Sequence, residues 1–267
     1  MLKAKKNLTI YRNLIDKIKP FTSSFKTKTE KGENAILRYM KMKTLALKLV
    51  LALTLIACQS KSNPTSSPIT YLALGDSYTI GESVHDSLRW PNQLVSVLNQ
   101  NGKQFEPATI VAQTGWTTDE LAAAIDTTTL AAPYDYVSLL IGVNNQFRGR
   151  SIDNFETEFI NLLETAITLA GQEGENVFVL SIPDWGVMPF AEGRDRTQIA
   201  QEIDQFNSVI QAVCRDKNIA YFDITAISRE ATTKAMLIAQ DGLHPSGTMY
   251  AQWVDTVLPF FNASGDE

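Results

Sequence analysis

From residue 69 onward, short apolar runs alternate with stretches of helical periodicity, which confines the chain to helices packed on a parallel sheet. The apolar runs predict strands over 69–75, 107–113, 134–141, 176–182 and 220–224. Between them the spacing predicts helices over 91–100, 121–125, 153–171 and 196–215, and a last one after Pro245 that runs to Phe260. Local signals agree with these boundaries. Pro91 stands at a first helical position, where its missing N–H is not needed. Thr117 and Glu120 have the spacing of a capping box, Gly171 ends the long helix, and Ser246 suits the cap of the last one. No internal repeat or low-complexity tract interrupts the pattern, so residues 69–262 read as one domain, with 263–267 as a tail. A chain of 267 residues, 44% hydrophobic, can bury one substantial core.

The chemistry-bearing residues gather where these strands end. Ser77, in Gly75-Asp76-Ser77-Tyr78, follows the first strand, Gly115 the second and Asn144 the third. Asp241 and His244 lie in the loop after the fifth strand. Parallel strands place all of these loops at one edge of the sheet, where α/β proteins bind small molecules. A serine hydroxyl is a weak nucleophile until a base takes its proton, and the chain has only two histidines to choose from. Ser77 as nucleophile, His244 as base and Asp241 as the carboxylate that orients the imidazole make a complete set. The backbone N–H groups of Ser77 and Gly115 and the amide of Asn144 would serve as oxyanion donors. Pro245 disfavours helical geometry at His244 and holds that loop open.

Charge and cysteine content narrow the partners. Residues 1–57 carry 13 Lys/Arg against 3 Asp/Glu, whereas residues 58–267 carry 11 against 26, a net of −15. Phosphate backbones would be repelled by such a body, so no nucleic-acid partner is expected. The two cysteines, Cys58 and Cys214, form no disulfide framework and, with two histidines, no metal cluster; Cys214 reads as a small buried residue. No metal or cofactor is expected, and a monomer is.

Ahead of the domain, a basic run at 40–44 precedes an apolar stretch over 45–57, too short for a membrane span but suited to export. Leu55-Ile56-Ala57-Cys58 resembles the bacterial lipoprotein signature, which implies cleavage before Cys58 and lipid on its thiol. Residues 58–68 would then form a flexible tether, and the protein would be exported and lipid-anchored to the cell envelope. Residues 1–39 fit none of this and read as a non-native or disordered basic extension, with translation expected to begin at Met40 or Met42.

Taken together, the blocks Gly75-Asp76-Ser77-Tyr78, Gly115, Gly142-Val143-Asn144-Asn145 and Asp241-Gly242-Leu243-His244-Pro245 resemble the SGNH/GDSL family of serine hydrolases, over essentially all of 69–262. The resemblance implies a three-layer α/β/α, flavodoxin-like fold around a five-stranded parallel sheet and an esterase or lysophospholipase-like activity. One position departs from the family pattern: Asn145 stands where an aspartate is usual. The α/β-hydrolase elbow Gly-x-Ser-x-Gly is not met, because Thr79 replaces its second glycine.

The expected reaction is ester hydrolysis through an acyl-enzyme, on an acyl ester, a lysophospholipid or a carbohydrate ester. An O-acyltransferase using the same site and a non-catalytic surface-binding lipoprotein are the alternatives. Several residues stay open at this level. The segment Ser181 to Gly186 reads as a turn or a pocket wall, and Trp90 and Trp116 as core or pocket wall. Arg194 and Arg196 read as solvated charges or as contacts to an anionic substrate, and His85 as an exposed loop residue.

Overall fold

The computed structural model describes residues 39–40, 42–44 and 67–261. Two units are distinguished, Met1–Ser66 and Ser67–Glu267, and the sheet belongs to the second. Cys58 and nearly all of the expected extension, signal segment, tether and tail lie outside the described residues.

In chain order the second unit runs β1 (Tyr71–Gly75), α1 (Ser77–Ile80), α2 (Trp90–Gln100), β2 (Thr109–Ala112) and α3 (Thr118–Thr127). It continues with β3 (Tyr136–Leu140), α4 (Val143–Phe147), α5 (Ile152–Leu169), β4 (Val177–Leu180) and α6 (Arg196–Asp216). β5 (Ala220–Phe222), α7 (Thr225–Arg229) and α8 (Gly247–Val257) complete it. All five expected strands are present, each shorter by two or three residues. Ile69, for example, makes only an isolated bridge to Phe105. α3 is longer than the expected 121–125, because the cap at Thr117 starts it at once: the Glu120 carboxylate accepts the Thr117 N–H at 2.9 Å. The one-turn helices α1, α4 and α7 were not expected, and each leaves the end of a strand.

The sheet order is β2-β1-β3-β4-β5, and every pair is parallel. From β1 the chain steps one way to β2, then returns past β1 to β3 and continues outward. Right-handed crossovers therefore place α2 on one face and α3, α5 and α6 on the other. Packing follows that division: α2 lies against α8, α3 against α5, and α5 against α6. The reversal falls between β1 and β3, the switch point where open α/β sheets bind ligands.

β1 and β4 are buried along their whole length, as strands covered on both faces must be. Phe178 of β4 packs on Tyr71 at 6.0 Å and Trp90 at 6.4 Å between ring centroids, and the Tyr71 hydroxyl pairs with Ser138 Oγ at 2.7 Å. Trp90 is thus a core residue. At the end of β1 a Cβ on Gly75 would lie 2.2 Å from Thr79 Oγ1 and 2.5 Å from the Leu140 carbonyl. Only glycine lets the strand hand over to α1 this tightly, and Ser77 is placed by that turn.

Candidate active site

Ser77 is the first residue of α1, two positions beyond the end of β1. Asp76 caps the turn: its Oδ1 accepts the Tyr78 N–H at 3.0 Å. Its other oxygen, Oδ2, is buried without a hydrogen-bond partner among the described residues. Burial pushes the Asp76 carboxyl up to about 7, against the opposing hydrogen bond from Tyr78.

Gly115 sits in the loop after β2 with φ of 89°, in the left-handed region that favours glycine. The Trp116 N–H closes a turn on the Gln113 carbonyl at 3.2 Å, and the Thr114 hydroxyl donates to Glu82. Arg148 Nη2 donates to the Gly115 carbonyl at 2.6 Å, while its Nη1 pairs with Glu120 at 3.2 Å. The backbone of this loop is therefore held in place by side chains that no sequence motif announced.

Asn144 belongs to α4, the turn that follows β3, and its Nδ2 donates to the Trp116 carbonyl at 2.9 Å. An amide has two such hydrogens, so one remains for another acceptor. Asn145, at the position that departs from the family pattern, is fully buried and faces Thr118. Its Oδ1 accepts the Thr118 N–H at 3.1 Å, its Nδ2 donates to Thr118 Oγ1 at 2.6 Å, and that hydroxyl donates to Glu158. An asparagine can both accept and donate here, whereas a carboxylate could only accept, so Thr118 passes its own hydrogen on to Glu158. The result ties α4 to the start of α3 beside Asn144.

Asp241 and His244 lie together in the loop before α8. His244 Nδ1 is 2.5 Å from Asp241 Oδ2. Asp241 Oδ1 accepts the N–H groups of Leu243 and His244, both at 3.0 Å, and Ser83 Oγ donates to Oδ2 at 2.7 Å. Partial burial works against ionisation, but these hydrogen bonds, led by the one from His244, outweigh it and hold the Asp241 carboxyl well below the usual carboxylate range. An ionised Asp241 can only accept, which makes Nδ1 the protonated nitrogen of neutral His244 and leaves Nε2 with a free lone pair. Ser83, at φ of 64°, was not a candidate from sequence, since a serine in a loop carries no signal by itself. The loop is braced by the Ala239 N–H to the His244 carbonyl at 2.8 Å and by an antiparallel bridge from Ile238 to Pro245.

A cavity of about 180 Å³ is lined by Ser77, Gly115, Asn144 and His244 together with the rings of Phe147, Trp185 and Phe190. Every expected site residue of the domain thus reaches one place, except that Asp241 stands behind His244. No hydrogen bond joins Ser77 Oγ to the His244 ring among the described residues; catalytic contacts of this kind often tighten only when substrate binds.

Asp184 accepts the Gly186 N–H at 2.9 Å and pairs with Arg229 at 2.9 Å, so its segment is a built turn. That turn also delivers Trp185 to the cavity, with its indole N–H on Gln146 Oε1 at 2.8 Å. Neither Trp90 nor Trp116 lines the cavity. His85 is exposed and pairs with Ser87 at 3.0 Å. Arg196 donates to the carbonyls of Val187 and Met188, whereas Arg194 lies over the rings of Phe147, Trp185 and Phe190.

Residues 73–252 match the family model of the GDSL-like lipase/acylhydrolases. The chain belongs to that family, and is an enzyme of the GDSL type acting on ester bonds. No curated protein matches it. Among solved structures it is similar to a lipase/acylhydrolase from Enterococcus faecalis, at 20% identity over 73% of this chain and 96% of that one, with a TM-score of 0.57. It is also similar to Axe2, an acetylxylan esterase from Geobacillus stearothermophilus, at 19% identity over 76% and 96% of the two chains and a TM-score of 0.58. A third is the esterase EstA from Pseudoalteromonas sp., inhibited by monoethylphosphonate, at 15% identity over 73% and 97% and a TM-score of 0.57. At these identities the likeness is one of fold.

The raised Asp76 carboxyl has a thermodynamic consequence. The folded state keeps a proton that the unfolded chain releases from its ordinary value of 3.8, so this group's contribution to stability falls as pH rises from about 4 to about 7. Asp76→Asn removes that dependence. In urea titrations at pH 4.5 to 7.5 the variant should gain on the wild type by up to about 1.4 kcal/mol per pH unit. A difference that does not change with pH would refute the buried, proton-holding carboxyl.

Proposed function

We propose that this GDSL-family enzyme is a serine esterase that works through Ser77, His244 and Asp241 and an acyl-enzyme intermediate. The observation that carries the reading is the Asp241–His244 hydrogen bond, with His244 and Ser77 opening on the same cavity as Gly115 and Asn144. His244 Nε2 takes the proton as Ser77 Oγ attacks the ester carbonyl carbon. The carbonyl oxygen becomes an oxyanion that accepts the Ser77 and Gly115 N–H groups and the Asn144 amide hydrogen not used on Trp116. Collapse breaks the bond to the alcohol oxygen, which leaves with the proton from His244. Water then attacks the acyl-enzyme carbonyl, giving its proton to the same nitrogen, and the acid departs as Ser77 recovers its hydrogen. Throughout, Asp241 stays ionised and accepts Nδ1–H, which favours the charged imidazolium in each transition state.

The cavity, at about 180 Å³, lies below the roughly 300–1,000 Å³ typical of drug-sized ligand sites. Short acyl groups fit such a space, in line with the acetyl group that one structurally similar enzyme is named for removing from xylan. Ser77→Ala should abolish release of nitrophenol from short-chain nitrophenyl esters, a fall of about 10³-fold or more. Turnover near that of the wild type would end the proposal.

We infer further that the mature protein is exported and held at the cell envelope by lipid on Cys58, which the motif Leu55-Ile56-Ala57-Cys58 supports. Fractionation of cells expressing Cys58→Ser should find the protein released from membranes. Unchanged membrane partition would remove the anchor.

A further inference from the structure

We infer that Arg194, with the aromatic face it covers, makes this site select esters that carry an anionic group, a carboxylate or a phosphate, beside the scissile bond. The inference rests on the esterase reading above for its substrate, and on independent geometry for its charge. The Arg194 guanidinium lies 5.2 Å from the ring centroids of Phe147 and Trp185 and 5.3 Å from that of Phe190. All three rings line the cavity that holds Ser77 and His244. Cation–π attraction fixes the guanidinium but satisfies none of its five N–H donors, whose edges stay available to an acceptor.

Other arginines in the described residues are already committed. Arg89, Arg148, Arg150, Arg215 and Arg229 pair with carboxylates, and Arg196 donates to two backbone carbonyls. Among the described residues Arg194 is the one arginine whose side chain has neither ion pair nor hydrogen bond. Its neighbour Asp195 makes no ion pair with it among the described residues; that carboxylate accepts the Gln198 N–H at 3.0 Å as the cap of α6.

Position and background charge give this cation its meaning. Phe190, beneath it, donates its backbone N–H to the Gly242 carbonyl at 3.0 Å, so the aromatic turn is tied to the loop that carries Asp241 and His244. Residues 58–267 bear a net charge of −15, a field that disfavours anions almost everywhere else. The uncommitted guanidinium over the aromatic wall of the cavity is a local positive charge against that background, the feature an anionic ester would need in order to bind here. A planar fork also suits a two-oxygen anion better than a point charge does.

The test uses two matched substrate pairs. Nitrophenyl butyrate against nitrophenyl hemiglutarate places the anion on the acyl side, and acetylglycerol against acetylglycerol phosphate places it on the alcohol side. In at least one pair, Arg194→Met should lower the ratio of anionic to neutral kcat/KM by about tenfold, chiefly through KM, as expected for one charge-assisted contact. Arg194→Lys should retain part of the ratio, and added salt should erode it in the wild type. Calorimetry of Ser77→Ala with glutarate and with glycerol phosphate reads the same contact without chemistry. Binding lost in the Ser77→Ala/Arg194→Met double variant supports the inference even if no ester is hydrolysed, a result that would instead sink the esterase reading. Ratios within about twofold in both pairs, with anion binding indifferent to Arg194 or absent, overturn it.

Discussion

Five strands that all run the same way force every strand's carboxyl end, and every loop that leaves it, onto one rim. That constraint gathers residues separated by more than 160 positions. It also leaves each loop free to be braced locally, and the bracing is specific. Gly75 lets β1 turn into α1 against the Leu140 carbonyl, Arg148 holds the Gly115 carbonyl, and Asn144 holds the Trp116 carbonyl. The donors an oxyanion would need are therefore held in place, Gly115 through Arg148 and Asn144 through its own bond to the Trp116 carbonyl.

Two aspartates near the centre show how environment divides identical groups. Asp76 is wholly buried with one oxygen unpartnered, so its carboxyl holds a proton up to about 7. Asp241 is partly exposed and accepts four hydrogen bonds, so it stays ionised far below that. The first shapes the turn that presents Ser77, and the second sets the tautomer of His244. Exchanging their surroundings would leave the imidazole without an anion to face.

Much of this was legible in the sequence, for physical reasons. Fully buried parallel strands must be apolar throughout, so β1 and β4 announced themselves, and the amphipathic stripes of α2, α5 and α6 fell within two residues of their expected ends. The candidate site residues Ser77, Gly115, Asn144, Asp241 and His244 stood out because polar residues and a glycine sat just past the ends of apolar strands. The one-turn helices were not legible, because four or five residues carry no period. Nor were Ser83, Arg148 and Glu158, whose contacts span 28 to 158 residues and depend on loop geometry alone. Trp185 was ambiguous for a different reason: its turn is held by its own hydrogen bonds and also lines the cavity.

The proposed chemistry needs one hydroxyl made reactive by one imidazole at the rim of the sheet. Its most direct test is peptide mapping by mass spectrometry after reaction with a small fluorophosphonate, which bonds to an activated serine oxygen. A single adduct is expected, on Ser77, and it should no longer form in His244→Ala. An adduct on another residue, or labelling of Ser77 at an unchanged rate without His244, would contradict it.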